Sequence, residues 1–172
     1  SGKIAPMMSI LNSSIGSGGK VLIFSQFVGM LKIIKQELKE NDTGYYYLDG
    51  STSRKQRDSQ VQSFQNDGNG HSVFLISLKA GGYGLNLTAA DTVIHFDPWW
   101  NPSVENQATD RAHRIGQTKP VHSYKLIAAG TVEEKILKLQ ERKKGLISVA
   151  MNDSEPRMSG LSDSDIKTIL SL

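Results

Sequence analysis

The chain has 172 residues, of which 38% are hydrophobic and 22% are charged, and it contains no cysteine. This length suits one well-buried domain with short appendages and is too short for two domains of ordinary size. The composition excludes a disordered or fibrous protein, a disulfide scaffold and a thiolate metal site, while the net charge of +3 mildly favours phosphate-rich partners.

Short β-branched runs alternate with longer amphipathic stretches, which predicts an α/β fold with a mostly parallel central sheet and helices on both faces. Thr131 followed by Glu134 predicts a capping box at the start of a long helix. The predicted strands are 21–25, 45–48, 73–77, 92–96 and about 121–127. The predicted helices are 3–12, 27–40, one that opens at Ser53, one from the cap Ser103 to about 113, one from 131 to about 150, and a short terminal helix capped at Ser162 after a linker.

Polar loops follow three of the predicted strands. In doubly wound sheets, ligands bind beyond the carboxyl ends of the strands, so these loops are the first place to look for a site. The loop LKAGGYGLN after 73–77 has three glycines that can bring backbone amides to an anion, and Lys79 adds charge. This loop fits a tight turn and a phosphate site equally well.

The segment GSGGK at 16–20 resembles a phosphate loop only superficially. It precedes a strand instead of following one, and Lys20 is followed by Val21 where a magnesium-binding Ser or Thr would be needed. We therefore predict an ordinary turn there. The four histidines show no metal-ligand spacing, so no metal site is predicted in this chain.

Two arginines, Arg111 and Arg114, stand three positions apart in QATDRAHRIGQ (107–117). On a helix this spacing would place both guanidinium groups on one face. They could form ordinary surface pairs with Asp110 or Glu105, worth about 0 to 1 kcal/mol. They could instead reach the terminal phosphate of a nucleotide, where such a residue speeds hydrolysis by about 10³ to 10⁵. The spacing alone leaves both interpretations open.

Four segments stand in the order and approximate spacing of the later helicase motifs of the Swi/Snf-type ATPases. They are FSQF (24–27), LDGSTSRKQR (48–57), LISLKAGGYGLNLTAADTVIHFDPWWNP (75–102) and QATDRAHRIGQ (107–117). From about residue 3 to residue 150, the sequence therefore resembles the C-terminal RecA-like lobe of this family of DNA translocases, which remodel chromatin or displace proteins from DNA. The resemblance implies a RecA-like three-layer fold over 1–150, including a brace helix at about 131–150, with 151–172 as linker and short helix.

The resemblance also implies roles for individual residues. Arg111 and Arg114 would be arginine fingers that reach ATP across the cleft between two lobes, with Gln107 as a supporting polar residue, and Gly82 would approach the nucleotide. Trp99 and Trp100 match a loop that lies near DNA, although a tryptophan pair after a strand is as often a packing wedge, and we expect one of the two to be buried. The positions that match the family's grip on the tracked DNA strand are Ser25, Gln26, Gly50, Ser51, Ser77 and Lys79.

The sequence contains no G-x-x-x-x-G-K-[ST] motif and no strand that ends in an acidic magnesium-binding motif. We therefore expect a fragment of a longer protein whose N-terminal ATPase lobe, a partner of this lobe, holds ATP and Mg²⁺. The other expected partner is double-stranded DNA. Alone, the fragment is expected to be monomeric, to hold no cofactor tightly and to be inactive as an ATPase.

The sequence also bears on location and on competing functions. No run of about 18 apolar residues could cross a bilayer and SGKIAPMM is no signal segment, so we expect a soluble, intracellular protein without a membrane partner. The tail 151–172 resembles the short extension of bacterial members, which favours the cytoplasm or nucleoid; a eukaryotic protein would be nuclear. One alternative is a DNA-binding or protein-docking module without catalysis. The segments DPWWNP and RAHRIGQ resemble the translocase branch of the family, which disfavours an unwinding helicase.

Overall fold

The computed structural model describes residues 2–66, 70–81 and 84–150, and in these ranges it shows five strands and six helices. The strands are β1 (Val21–Ser25), β2 (Tyr45–Leu48), β3 (Val73–Ser77), β4 (Thr92–His95) and β5 (His122–Lys125). The helices are α1 (Ile4–Gly16), α2 (Val28–Glu40), α3 (Arg54–Gln65), α4 (Leu78–Gly81), α5 (Pro102–Thr109) and α6 (Val132–Ala150).

The five strands form one sheet in the order β2-β3-β1-β4-β5, and every neighbouring pair is parallel. All residues of β1, β3 and β4 are buried, as expected for parallel strands that helices cover on both faces. Since the strands are parallel, all their carboxyl ends lie at one edge of the sheet. The predicted parallel sheet is confirmed.

The core lies in two layers, one on each face of the sheet. Alternate residues of a strand point to opposite faces, so Val21 and Ile23 enter one cluster and Leu22 and Phe24 the other. The first cluster is completed by apolar side chains of α1 and α2, and the second by those of α3 and α5. The result is the three-layer arrangement of helices, sheet and helices that the sequence predicts.

The helix α5 differs from its predicted bounds. It begins at Pro102, and its N-cap is Asn101, whose side chain accepts a hydrogen bond from the Ser103 amide at 3.1 Å, because Asn caps well and Pro suits the first helical position. The helix ends at Thr109 instead of near residue 113. The two arginines therefore lie beyond the helix, and the prediction that they share one helical face is wrong.

The long helix α6 begins after Thr131, as predicted, but with a different acidic partner. Thr131 Oγ1 accepts a hydrogen bond from the Glu133 amide at 3.2 Å. Glu133, not Glu134, then carries the buried contacts, since its carboxylate accepts from the Ala128 amide at 2.8 Å and pairs with Lys3 at 2.6 Å. The predicted linker and terminal helix in 151–172 lie outside the described residues. None of the helices described is long and apolar enough to span a membrane.

Candidate functional site

The loops that follow β1 and β4 are joined at the carboxyl edge of the sheet by Asp97. Its carboxylate accepts hydrogen bonds from Ser25 Oγ at 2.5 Å and from the Gln26 amide at 2.9 Å, and the Gln26 side chain donates to the Pro98 carbonyl at 3.2 Å. Burial raises the pKa of Asp97, while the hydrogen bonds from Ser25 and Gln26 oppose that rise. Asp97 was missed as a site residue, although its place directly after a buried strand, in DPWWNP, was a usable signal.

Two of the residues predicted to grip DNA are covered by protein. Ser25 is 0% exposed and Ser77 is 3% exposed, whereas Gln26 is half-buried. The Ser25 hydroxyl also accepts a hydrogen bond from the Phe27 amide at 3.1 Å, so its contacts are to its own loop and to Asp97. A DNA contact at these positions stays a prediction.

Hydrogen bonds to Asp49 fix the shape of the loop after β2. Both the amide and the hydroxyl of Ser51 donate to Asp49 Oδ1, at 2.9 and 2.6 Å, and these bonds are the main cause of the lowered pKa of Asp49. Tyr47 donates its hydroxyl to Asp49 Oδ2 at 2.8 Å, and burial followed by this contact raises the pKa of Tyr47 to about 12. Gly50 and Ser51 are thereby presented to solvent in a preformed turn.

The loop after β3 begins with the short helix α4, from which Lys79 projects exposed. Gly84, where the description resumes, has a φ of 62°, a left-handed conformation that glycine adopts at no steric cost. Gly82 lies outside the described residues, so the choice between a turn and a phosphate site for this loop stays open.

The tryptophan pair lies at the rim of the fold. The two rings are 6.2 Å apart and inclined at 36°, and both Trp99 and Trp100 are half-buried. The expectation that one of them is buried is therefore wrong. Trp99 packs part-buried against the edge of the core cluster, and its amide donates to Glu105 Oε1 at 2.6 Å.

Several buried polar side chains lie beneath the tryptophan loop, and the sequence interpretation missed them. Glu105 is 1% exposed and forms an ion pair with Lys125 at the end of β5. His95 Nε2 shares a hydrogen bond with Thr109 Oγ1 at 2.9 Å, and burial lowers the pKa of His95 to about 4, with Lys125 adding to the effect and Glu105 opposing it. The sequence could have pointed to Gln140 of α6, because this polar residue follows Ile136 by four positions and so stands in the apolar stripe of its helix.

The arginine segment lies along residues 84–90, which comprise the end of the glycine-rich loop and the residues after it. The Arg111 carbonyl accepts from the Leu87 amide at 2.9 Å, and Arg114 Nη1 approaches the Leu85 carbonyl at 3.4 Å. The amide nitrogen of Gln117 fastens the segment by donating to the carbonyls of Thr88, Ala90 and Ala112, at 2.9, 2.8 and 3.1 Å. The structure therefore brings both arginines beside the glycine-rich loop, while Gln107 is exposed on α5.

The charges of the two arginines are not balanced locally. In the part of the chain that the structure describes, neither arginine has a carboxylate within 4.0 Å, and Glu105, one of the two partners considered, is paired with Lys125. Arg111 is 7% exposed, and its buried Nε has no hydrogen-bond partner among the described residues. Burial lowers the pKa of Arg111, Arg114 lowers it further, and Asp110 acts in the opposite direction.

A buried guanidinium that lacks an acceptor is costly in the free protein. Arg111 and Arg114 together make a site that favours an anion with several oxygens, such as a phosphate group. The same described ranges contain no group of three or more His, Asp or Glu residues that could hold a metal ion.

Comparison with known proteins gives consistent similarities. The family described as "Helicase conserved C-terminal domain" matches residues 2–116. A relative from Mycoplasma pneumoniae, named an uncharacterized ATP-dependent helicase, is 47% identical over 148 residues, which is 86% of this chain and 14% of the relative.

Two solved structures are similar as well. The C-terminal part of the Fun30 ATPase domain is 42% identical with a TM-score of 0.78, over 81% of this chain and 45% of that one. The Sulfolobus solfataricus SWI2/SNF2 ATPase core in complex with dsDNA is 39% identical with a TM-score of 0.73, over 100% of this chain and 36% of that one. In each case the chain spans less than half of the protein that it matches.

Proposed function

This chain belongs to the helicase conserved C-terminal domain family, in its Swi/Snf branch and with its RecA-like fold, and from that membership we propose that it is the second lobe of an ATP-dependent translocase or remodeller of double-stranded DNA. The lobe supplies Arg111 and Arg114 to ATP that is bound on a first lobe, and it provides one of two grips on the DNA backbone. The fragment by itself is inactive as an ATPase because it has no phosphate loop.

One observation carries the proposal, namely the unbalanced arginine pair. Among the described residues, the buried Arg111 has no hydrogen-bond partner for its Nε, Arg114 is exposed beside it, and no carboxylate lies within 4.0 Å of either. Arginines held in this way fit the charge that develops on a phosphoryl group during transfer. The exposed Gln107 lies on the helix that precedes them, where it can support the same site.

ATP and Mg²⁺ belong mainly to the first lobe in this proposal, and the fit on this side is tested by the chemistry of the donors. This lobe offers guanidinium groups, which bind phosphate oxygens, and its described residues contain no cluster of three or more His, Asp or Glu side chains that could hold a metal ion. ATP supplies the phosphoryl group. Arg111 and Arg114 bind and orient its oxygens, and Gly82, if it acts as the resemblance implies, lets the backbone approach the nucleotide.

The grip on DNA is assigned to the loops at the carboxyl edge of the sheet. Gly50, Ser51 and Lys79 are exposed there and suit contacts to phosphate oxygens. Ser25, Gln26 and Ser77 act through the loops they hold, and the half-buried Trp99 and Trp100 pack against the nucleic acid. Phosphate contacts of this kind make binding independent of sequence and sensitive to salt. The comparison structure that contains dsDNA supports DNA as the partner.

The experiment measures DNA-stimulated ATP hydrolysis by the full-length protein beside its Arg111→Ala and Arg114→Ala variants. Loss of an arginine finger lowers turnover by about 10³-fold or more. The exposed Lys32→Ala on α2 is the control for loss of one positive charge. A DNA-stimulated wild type with silent Ala variants supports the proposal. If the variants turn over at the wild-type rate, the two arginines take no part in hydrolysis, and this lobe acts as a binding module that contributes no catalytic group.

A further inference from the structure

The backbone of Trp99 is held at its amide and at its carbonyl by buried side chains of two different helices. Its amide donates to Glu105 Oε1 of α5 at 2.6 Å, and its carbonyl accepts from Gln140 Nε2 of α6. Glu105 and Gln140 are each 1% exposed. Buried polar side chains persist where their hydrogen bonds are satisfied, so these two contacts determine where the tryptophan loop lies.

Lys125 of β5 joins the two holding residues to each other. Its Nζ forms an ion pair with Glu105 and also donates to Gln140 Oε1 at 3.1 Å. Both polar atoms of the Gln140 amide are therefore engaged, one with the loop and one with the lysine. We call Glu105, Lys125 and Gln140 the tryptophan clamp.

Two of the clamp residues, Glu105 and Gln140, are sheltered from a ligand, whereas Lys125 is part-exposed and the tryptophan rings reach the surface. Glu105 and Gln140 have almost no exposed area, but Trp99 and Trp100 are half-buried, with ring centres 6.2 Å apart. Any effect of Gln140 on a ligand must therefore pass through the loop. In addition, Gln26 reaches the same loop through the Pro98 carbonyl at 3.2 Å, so the loop adjoins a second predicted DNA contact.

We propose that Gln140 is a positioning residue for DNA, which acts by holding the Trp99 carbonyl so that the tryptophan loop is preformed to pack against the nucleic acid. This inference rests on the proposed function. Preorganisation lowers the cost of ordering the loop when DNA binds, so its loss weakens DNA binding more than it slows turnover on bound DNA.

The test uses the full-length protein and a Gln140→Glu variant. Glutamate keeps the length and the oxygen that accepts from Lys125, but it has no amide proton for the Trp99 carbonyl. We expect the DNA concentration for half-maximal ATPase stimulation to rise about five- to tenfold, the equivalent of one lost hydrogen bond, while kcat at saturating DNA is retained. Glu141→Ala, an exposed neighbour on α6, is the control and should leave both quantities at the wild-type value.

A double-mutant cycle separates positioning from a general structural role. In a Trp99→Ala, Trp100→Ala background, the Gln140→Glu change should have no further effect on the half-saturating DNA concentration, because the group it positions is gone. Equal effects in both backgrounds overturn the inference. Gln140→Met, which fills similar space without polar atoms, is a second variant; a fall in kcat for both Gln140 variants would show a structural role and would also overturn it.

The outcomes for the two proposals are distinct. If DNA fails to stimulate the wild type, the proposed function fails and the inference fails with it. If DNA stimulates the wild type, the Arg114→Ala variant is silent and Gln140→Glu keeps the wild-type dependence on DNA, then only the inference about Gln140 is wrong.

Discussion

Ser25 donates its hydroxyl to Asp97 at 2.5 Å, which joins the ends of two neighbouring parallel strands through one buried hydrogen bond. The two residues are 72 positions apart in sequence. Ser25 directly precedes the loop after β1, and Asp97 lies at the start of the loop after β4. The same carboxylate receives the Gln26 amide at 2.9 Å, so the shape of the loop after β1 depends on a residue of the loop after β4.

The first prediction concerns this carboxylate. Asp97→Asn replaces one acceptor oxygen by an NH₂ group, which cannot accept from either Ser25 or the Gln26 amide. We expect the free energy of unfolding to fall by about 1 to 3 kcal/mol, measured by urea denaturation of the 172-residue chain. Asp58→Asn on the exposed side of α3 is the control. Equal stability of Asp97→Asn and wild type would mean that the two loops are held by other contacts.

The second prediction concerns the shape of the arginine side chains. Arg111→Lys and Arg114→Lys keep the positive charge but lose the planar fork that binds two phosphate oxygens at once. If the pair acts on ATP, DNA-stimulated hydrolysis by the full-length protein should fall by about 10²-fold or more in each variant. Arg142→Lys, on an exposed position of α6, should retain the wild-type rate. If the lysine variants keep full activity, then the pair contributes only its positive charge and not the planar shape of the guanidinium groups.

The third prediction concerns Gln117, which fastens the arginine segment. Gln117→Ala leaves the carbonyls of Thr88, Ala90 and Ala112 without this donor, so we expect a loss of about 2 to 3 kcal/mol in unfolding free energy. The full-length variant should also have a lower kcat, since the arginines lose their support. Gln36 is exposed on α2, and its side chain donates to Glu40. The Gln36→Ala control loses this contact and should change neither the unfolding free energy nor kcat. A normal kcat in Gln117→Ala would show that the segment is held without this side chain.

The fourth prediction is a pH dependence from His95. Its pKa is lowered from 6.5 to about 4, mainly by burial, so below pH 6.5 the unfolded chain takes up a proton that the folded chain does not. The stability contribution is thus complete above pH 6.5 and is lost as the pH falls towards 4, by up to roughly 3 kcal/mol. The measurement is urea unfolding of wild type and His95→Gln at several pH values.

The comparison between those two proteins isolates the histidine. Groups that titrate in both, such as the carboxyl of Asp97, cancel in the difference, and the Gln side chain can keep a hydrogen bond to Thr109. The stability of His95→Gln should therefore fall less steeply between pH 6.5 and 4. Parallel curves would show that His95 takes up its proton in the folded state as readily as in the unfolded one.

The fifth prediction concerns the salt dependence of DNA binding. If the exposed Lys79 contacts a phosphate, Lys79→Ala in the full-length protein should weaken DNA binding for all sequences alike. The slope of log K against log salt should become less steep by about one unit. Lys32→Ala on α2 should leave the slope unchanged. An unaltered slope for Lys79→Ala would remove this residue from the grip.

The sequence by itself determined the elements and their order. The buried runs of β1, β3 and β4 are continuous apolar segments with the length of strands, and a helix crossover between parallel strands follows from their alternation with amphipathic stretches. The four motifs were readable as well, because the order of residues along a chain is local information. The structure confirms the cap at Ser53, which was found in this way, while the site roles of Arg111, Arg114, Gly50 and Ser51 stay predictions from the motifs.

Only the tertiary structure decided which side chains are accessible and which are partners. Ser25 and Glu105 are buried, and their partners Asp97 and Lys125 lie 72 and 20 positions away along the chain, so the sequence does not show these pairs. The helix α5 ends at Thr109, and Gln117 fastens the following segment to the carbonyls of Thr88 and Ala90, a contact that helical periodicity could not predict. Hydrogen bonds between residues far apart in sequence set these features, and they exist only once the sheet has brought the loops to one edge.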